Sequence, residues 1–181
     1  MAIGQLRLGA PGHWVRTKDA DPDCRDIYRR HYSRRVYKDG RDPAKFVGPG
    51  EYIVLVTPNL DALFVWRKFI DDAIPKQKGV NCSVFRNEGP TLSSKLILEA
   101  EGFAWEKWKG ERLYTYVDPK KTRRKRDPGR CFRKAGWKPC GTTRGGLVIL
   151  EKTCAGTCTV EAPCTKEADT GTVPNAKAVN L

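Results

Sequence analysis

Val80-Asn-Cys-Ser-Val-Phe-Arg-Asn87, then Gly89-Pro-Thr-Leu-Ser-Ser94, then Lys95 through Trp108, then Arg112-Leu-Tyr-Thr-Tyr-Val117: this stretch decides the fold. The first segment is rich in apolar and β-branched residues and reads as a strand. The second is turn chemistry that runs into residues suited to a helix start, so it is expected to end in the helix cap. In the third, Leu96, Ile97, Ala100, Phe103, Ala104 and Trp108 recur at spacings of three and four, which predicts a helix with one buried stripe. The fourth is again a strand. Strand, loop, helix, strand is a βαβ unit, so Val80–Phe85 and Leu113–Val117 are expected to be parallel neighbours.

Outward from this unit, Glu51-Tyr-Ile-Val-Leu-Val-Thr57 and Ala62-Leu-Phe-Val-Trp-Arg-Lys-Phe69 read as strands joined through Pro58-Asn-Leu-Asp61, a turn that makes them antiparallel. Trp14-Val-Arg-Thr17 reads as a short first strand. Asp21-Pro-Asp-Cys-Arg-Asp26 opens a helix, with Asp and Pro at its start, expected to run to about Tyr32. Ser33 to Gly50 is a basic loop punctuated by Gly and Pro, and Asp71 to Gly79 a connector. Pro128 to Ala135 predicts a short helix ended by Gly136. Trp137-Lys-Pro-Cys-Gly141 and Gly146 to Lys152 predict a closing strand pair. The fold class is therefore α/β: a mixed, partly antiparallel central sheet flanked by helices, in one domain over residues 1–152. Thr153–Leu181 has little core potential and reads as a flexible tail.

The 181 residues carry a formal charge of +13, with 39% apolar residues, enough to bury a core. No run of 18 apolar residues occurs and Met1-Ala-Ile-Gly-Gln-Leu-Arg-Leu8 lacks an apolar signal region, so neither a membrane partner nor export is expected and the chain reads as cytoplasmic. The seven cysteines, an odd count, then read as reduced thiols. Between Pro119 and Arg144 stand eleven Lys or Arg and one acid, Asp127. The densest part is Lys120, Lys121, Arg123, Arg124, Lys125 and Arg126, which reads as a mobile loop. A second cluster is Arg29, Arg30, Arg34 and Arg35 around His31 and Tyr32. Fields of one sign attract polyanions, nucleic acid or the phosphates of a cofactor, although such clusters also serve as solvated surface.

His31 is one of two histidines and, among arginines that lower its pKa, suits a neutral base; a surface histidine is the plainer alternative. Cys140, Cys154, Cys158 and Cys164 supply thiols for zinc only at spacings outside the usual pairing.

The element order and the segment Asp127-Pro-Gly-Arg-Cys-Phe-Arg-Lys-Ala-Gly-Trp-Lys-Pro-Cys-Gly141 resemble the GNAT acyltransferase superfamily, in which a short helix ends in Lys-x-Gly-Phe and runs into a strand. Trp137 stands where that family has Phe. The resemblance covers about Trp14 to Lys152. It implies an acyl-CoA, acetyl-CoA or another, whose pyrophosphate lies at a helix N-terminus after a loop matched loosely by Arg86-Asn-Glu-Gly89-Pro-Thr91, with Ser93 and Ser94 following. It thus assigns Arg86, Asn87, Gly89, Ser93, Ser94 and Phe132 to the cofactor. A helix N-terminus suits phosphate, although an ordinary capped helix also fits the pattern.

Within the superfamily the chain is most similar to the group around the phage DNA-modification protein Mom, through His31-Tyr32-Ser33, Asn81-Cys82 to Arg86-Asn87, Ser93-Ser94, Thr115-Tyr116-Val117-Asp118 and Cys131-Phe132 to Gly136-Trp137. That group modifies adenine in duplex DNA and has been linked to iron. The resemblance therefore implies an amine on a DNA base as acceptor, phosphate contacts from Arg29, Arg30, Arg34, Arg35, Lys121 and Arg123–Arg126, and, for a metal, a mixed set of His31, Tyr32 and Asp118. One departure stands out. Many GNAT enzymes place a tyrosine, the acid that protonates the thiolate, where this chain has Phe132. Tyr114, Tyr116 and Asp118 alternate on the preceding strand, share a face and offer replacements; core or solvent-facing tyrosines are the alternative. Two other readings stay open: an acetyltransferase for a small-molecule or protein amine, and a nucleic-acid-binding module without catalysis.

Overall fold

The computed structural model describes residues 12–69, 77–122 and 127–154. Its elements are β1 (Val15–Thr17), α1 (Pro22–Arg29), β2 (Glu51–Val56), β3 (Ala62–Lys68), β4 (Val80–Asn87), α2 (Ser93–Lys107), β5 (Leu113–Val117), α3 (Arg130–Lys134), β6 (Lys138–Thr142) and β7 (Val148–Lys152). The seven strands form one sheet in the order β1-β2-β3-β4-β5-β7-β6. Every pairing is antiparallel except β4 with β5, which is parallel as the βαβ reading requires.

Strand alternation sorts the side chains onto two faces. On one, Ile53, Leu55, Phe64, Trp66, Val80, Cys82, Leu113 and Leu150 pack under α2 and α3 with Leu96, Ile97, Ala100, Ala104, Phe132 and Trp137. On the other, Val54, Val56, Leu63, Val65 and Val84 pack against Cys24 and Ile27 of α1 and against Val47. All five tryptophans donate their indole N–H. Trp14 and Trp66 bond the Leu96 and Ala100 carbonyls of α2, Trp105 the Glu111 carbonyl, Trp108 the Glu51 carboxylate and Trp137 the Glu101 carboxylate. Bulky indoles thus fill the core and fix the pitch of α2 without leaving an orphan donor.

Several boundaries differ from the sequence reading. α1 stops at Arg29 rather than near Tyr32, because His31 closes its own turn: the Ser33 N–H donates to His31 Nδ1 at 3.2 Å. Ser93 and Ser94 do not cap α2. The N-cap residue is Leu92, whose hydrocarbon side chain makes no capping bond, while Asn87 Nδ2 donates to the Ser93 hydroxyl at 3.0 Å and to the Thr91 carbonyl at 2.7 Å. α3 is shorter than Pro128–Ala135 and starts after Gly129, whose φ of 75° is left-handed. A Cβ there would meet Leu150 Cδ1 at 2.4 Å, so glycine serves both the turn and the close approach of α3 to β7. Lys120–Thr122 form a turn on Asp118, whose Oδ1 accepts the Lys120 N–H at 2.9 Å; Arg123–Arg126 lie outside the described residues, as does the tail beyond Cys154.

Candidate functional site

Two departures from regular pairing create a gap in the middle of the sheet. β3 pairs Val65 with Val84 and Trp66 with Cys82, so Ser83 is an extra residue, a β-bulge, and its hydroxyl bonds the Val65 carbonyl at 3.3 Å. The bulge breaks the alternation. Val80, Cys82 and Phe85 face α2, while Asn81 and Val84 face the α1 side. Beside it, β4 and β5 pair only over Val80–Leu113, Asn81–Tyr114 and Cys82–Thr115. The Thr115 hydroxyl bonds the Cys82 carbonyl at 3.0 Å at the last pair. Beyond it β4 stays with β3 and β5 stays with β7, and the two strands part.

The parting opens a cavity of about 420 Å³. Its walls come from the His31–Arg35 turn, from Phe46 and Val47, from Arg67 and Asn81, from Ser83 to Phe85, from Thr115 to Asp118, and from Lys121 and Phe132. It therefore connects the α1 side of the sheet to α3. Conserved chemistry need not be assumed for such a crevice to bind ligands: strand ends that diverge leave a concave surface lined by both backbone and side chains.

His31 is buried. The Ser33 hydroxyl donates to its Nδ1 at 2.7 Å alongside the Ser33 N–H, which places the ring proton on Nε2. Burial first and the Arg86 guanidinium second lower its pKa to about 4, against the opposing effect of a hydrogen bond to the Phe85 backbone. The imidazole is neutral, as its arginine neighbours suggested, but burial is the larger cause. With Nδ1 occupied from within its own turn, it props the turn against the end of β4.

Tyr32 stacks on His31, ring centroids 4.4 Å apart. Its hydroxyl reaches across the gap to the Asp118 backbone, near Cys82 and Cys131, and burial pushes its pKa up. The two thiols are held in the protonated form by burial, Cys82 well above its ordinary value. Tyr116 and Asp118 line the cavity; Tyr114 does not. All three alternate along β5, but Tyr114 is completely buried under Tyr116 and the Arg112 guanidinium, and burial raises its pKa to about 12. The expected row of two phenols and a carboxylate at the site edge is thus shortened to Tyr116 and Asp118, with Tyr32 arriving from the opposite side.

The proposed phosphate loop is placed at the end of β4. Arg86 is occupied: its Nε bonds Glu88 at 2.5 Å and its Nη1 the Arg30 carbonyl. Glu88 also takes Arg30 at 2.7 Å, and Arg30 first, with Arg86, holds its carboxyl down to about 2. Asn87 Oδ1 accepts the Gly89 N–H at 3.0 Å, and a Cβ on Gly89 would lie 2.2 Å from the Asp61 carboxylate, so this face of the loop is closed by an acid. The open face is the first turn of α2. It has no side-chain cap and no acid, and it carries the exposed Lys95. That charge is unfavourable at the positive end of a helix dipole and favourable once an anion sits there.

Of the basic clusters, Arg29 is paired with Asp26 and Asp42, and Arg30 with Glu88. Arg34 is exposed; Arg35 and Lys121 line the cavity. His31, Tyr32 and Asp118 all line the cavity; Nδ1 of His31 is filled by Ser33, and no group of three or more His, Cys, Asp or Glu side chains suited to a metal ion occurs among the described residues. Cys140 bonds Arg112 Nη2 and the Ile149 carbonyl; Cys158 and Cys164 lie outside the described residues. No helix among the described residues is long and apolar enough to cross a membrane.

Sequence reasoning missed Arg67, Asn81 as a cavity residue, and the stacked pair Tyr28–Phe46. A signal was present: Arg67, Asn81 and Ser83 are polar residues that interrupt or end the apolar runs of β3 and β4. A scan against protein-family models, a search of curated proteins and a search of solved structures return no match.

Proposed function

We propose that this protein is a GNAT-type acyltransferase that uses an acyl-CoA to modify an amine on a DNA base. The observation that carries the reading is the parting of β4 from β5 beyond Cys82–Thr115, with a cavity running through it; the uncapped first turn of α2, which follows β4 in the chain, is a second and separate feature. The strand order, with its one parallel pair, supports the same superfamily.

Acyl-CoA supplies an activated acyl thioester. The backbone N–H groups of Ser93 and Ser94, with Lys95, would hold its pyrophosphate, and Phe85 and Phe132, 5.8 Å apart edge to face, would flank its apolar arm. The acceptor amine attacks the thioester carbonyl; the C–N bond forms, the C–S bond breaks, and the amine gives up a proton. Tyr32 takes the part that Phe132 cannot. Its hydroxyl, in the gap beside Asp118, donates a proton to the departing thiolate, and the Asp118 carboxylate at the rim receives the proton of the amine. Arg35 and Lys121 at the cavity face an approaching polyanion, and the sequence adds four further positive charges at Arg123–Arg126.

The test is mass spectrometry of nucleosides from DNA of cells that express the protein. A base adduct with the wild type, lost with Tyr32→Phe while DNA binding persists, is expected. Unmodified DNA from cells with abundant folded protein would refute the DNA-base acceptor. A small-molecule amine as acceptor is the second reading, favoured by the neutralisation of Arg29 and Arg30 by Asp42, Asp26 and Glu88. It is separated by DNA affinity, which on that reading shows no salt dependence beyond weak surface attraction.

A further inference from the structure

At the inner wall of the cavity and directly behind it stand polar groups that have no hydrogen-bond partner among the described residues. Arg67 of β3, Asn81 of β4 and Tyr114 of β5 are consecutive cross-strand neighbours, Arg67 opposite Asn81 and Asn81 opposite Tyr114, so their side chains share one face of the sheet. Asn81 is 6% exposed and its Oδ1 has no hydrogen-bond partner. Arg67 Nε and the Tyr114 hydroxyl also have none. Arg67 and Asn81 line the cavity.

Arg67 is the centre of this group. It is part buried, its Nη1 donates to the Val47 carbonyl at 2.9 Å, and its guanidinium lies over the Phe69 ring at 4.0 Å. Among the described residues no carboxylate pairs with it. A second guanidinium, Arg35, and the Lys121 ammonium share the cavity with a single acid, Asp118, so its lining carries two more positive than negative charges. A half-buried guanidinium without a counter-ion is costly, and it is retained where an anion completes it.

We infer that this inner wall is a binding site for a small oxyanion, a carboxylate or a phosphate, that pairs with the Arg67 guanidinium, with the Asn81 side chain next to it on the same wall. The nearest thing to a fork in the cavity is the Arg67 guanidinium, whose planar donors match a carboxylate or phosphate edge. A turn of the Arg67 and Asn81 side chains toward the cavity brings their unpaired atoms onto such a ligand. The inference does not depend on acyl transfer: an oxyanion here belongs to an acceptor, an acyl group or a separate ligand equally.

The experiment uses the full chain, without acyl-CoA or DNA, and titrates inorganic phosphate and succinate by calorimetry and thermal shift, with sodium chloride at matched ionic strength as reference. The wild type is expected to bind at least one probe and to gain Tm beyond the chloride reference; the probe preferred tells phosphate from carboxylate. Arg67→Gln keeps an N–H for the Val47 carbonyl and removes the charge, and should weaken the apparent Kd about tenfold or more. Asn81→Asp supplies the missing counter-ion from within the protein. It should raise the Tm of the free protein and abolish the response to the probe. A lower Tm for Asn81→Asp, wild-type affinity in Arg67→Gln, or no binding of either probe by the wild type overturns the proposal. Absence of a DNA adduct in cells would leave these readouts unchanged, so the two readings fail separately.

Discussion

Removing Lys152 tests how α3 is held over the site. Glu101 lies in α2 at 2% exposure, Oε1 accepting from Trp137 Nε1 at 2.7 Å and Oε2 from Lys152 Nζ at 2.6 Å. Lys152 also donates to the Ala135 carbonyl at 2.7 Å. One ammonium therefore ties α2, the end of α3 and β7 together. The partners are unequal: the Glu101 side chain is 3% exposed, the Lys152 side chain 21%. In Glu101→Gln the ammonium keeps Ala135 and some water, and the amide oxygen keeps Trp137, so the loss is expected to be about 1 kcal/mol. In Lys152→Met the carboxylate stays enclosed with only an indole N–H, and the loss is expected to be about 3–5 kcal/mol, the usual consequence of unpairing a buried charge. At about 2–4 °C per kcal/mol for a chain of this size, that is a Tm lower by about 10 °C. Burial already raises the Glu101 pKa against the pull of Lys152 and Trp137, and without Lys152 it rises further. A carboxyl with a raised folded pKa contributes stability below its unfolded pKa and loses it as pH climbs through the folded one. The deficit of Lys152→Met should therefore shrink at pH 5 and grow at pH 8. The assay is thermal unfolding of wild type and both variants across that range. Equal effects of the two substitutions, or a deficit independent of pH, would refute the account.

Other outcomes follow from single groups. Folded His31, with a pKa near 4, stays neutral while the unfolded chain takes up a proton below about 6.5; stability should fall by roughly 3 kcal/mol between those values, and His31→Gln should flatten that slope in chemical denaturation at pH 4 to 7. Ser94→Glu puts a carboxylate in the first turn of α2, where it suits the helix and repels a pyrophosphate; Tm should hold or rise while acyl-CoA affinity by calorimetry falls about tenfold or more, and unchanged affinity would place the cofactor elsewhere. Gly129→Ala combines a left-handed φ with a 2.4 Å clash on Leu150, and should lower Tm by several degrees and loosen α3; an unchanged Tm would show that α3 can shift without cost.

Much of the scaffold was legible because local and global signals agree. The β-branched runs of β2 and β3 pair as their turn dictates, the stripe of α2 is buried, and the parallel neighbours of the βαβ unit are where the crossover puts them. The site was less legible. A bulge leaves no compositional mark, so Ser83 looked like one more alternating residue and the parting beside it was invisible. Burial of His31 depends on a turn closed by its own ring, which a cluster of arginines conceals. Glu101 carried a signal that the stripe itself contained: it stands four residues after Ile97 and three before Ala104, so an acid at that register had to be buried and paired. The role of Arg86 changed for a similar reason. Its partner Glu88 is adjacent in sequence terms, but Arg30 joins them only through the fold.

The two faces of the sheet differ in how completely they satisfy their polar groups, and the difference has direction. Under α2 and α3 every indole N–H has an acceptor, and the buried Glu101 carboxylate has two donors. Toward the α1 side, within a few residues along β3, β4 and β5, stand a bulge, a parted strand pair, a histidine held neutral, and three polar atoms without partners among the described residues. Each departure costs stability, and an unmet buried polar group costs about 1–3 kcal/mol. A chain with a few kcal/mol to spare does not gather such losses in one place for structural reasons, since replacing Asn81 or Arg67 by an apolar neighbour would remove them. That Arg67 and Asn81 both line the cavity is an energetic reason, independent of any resemblance, to test them there alongside Tyr32.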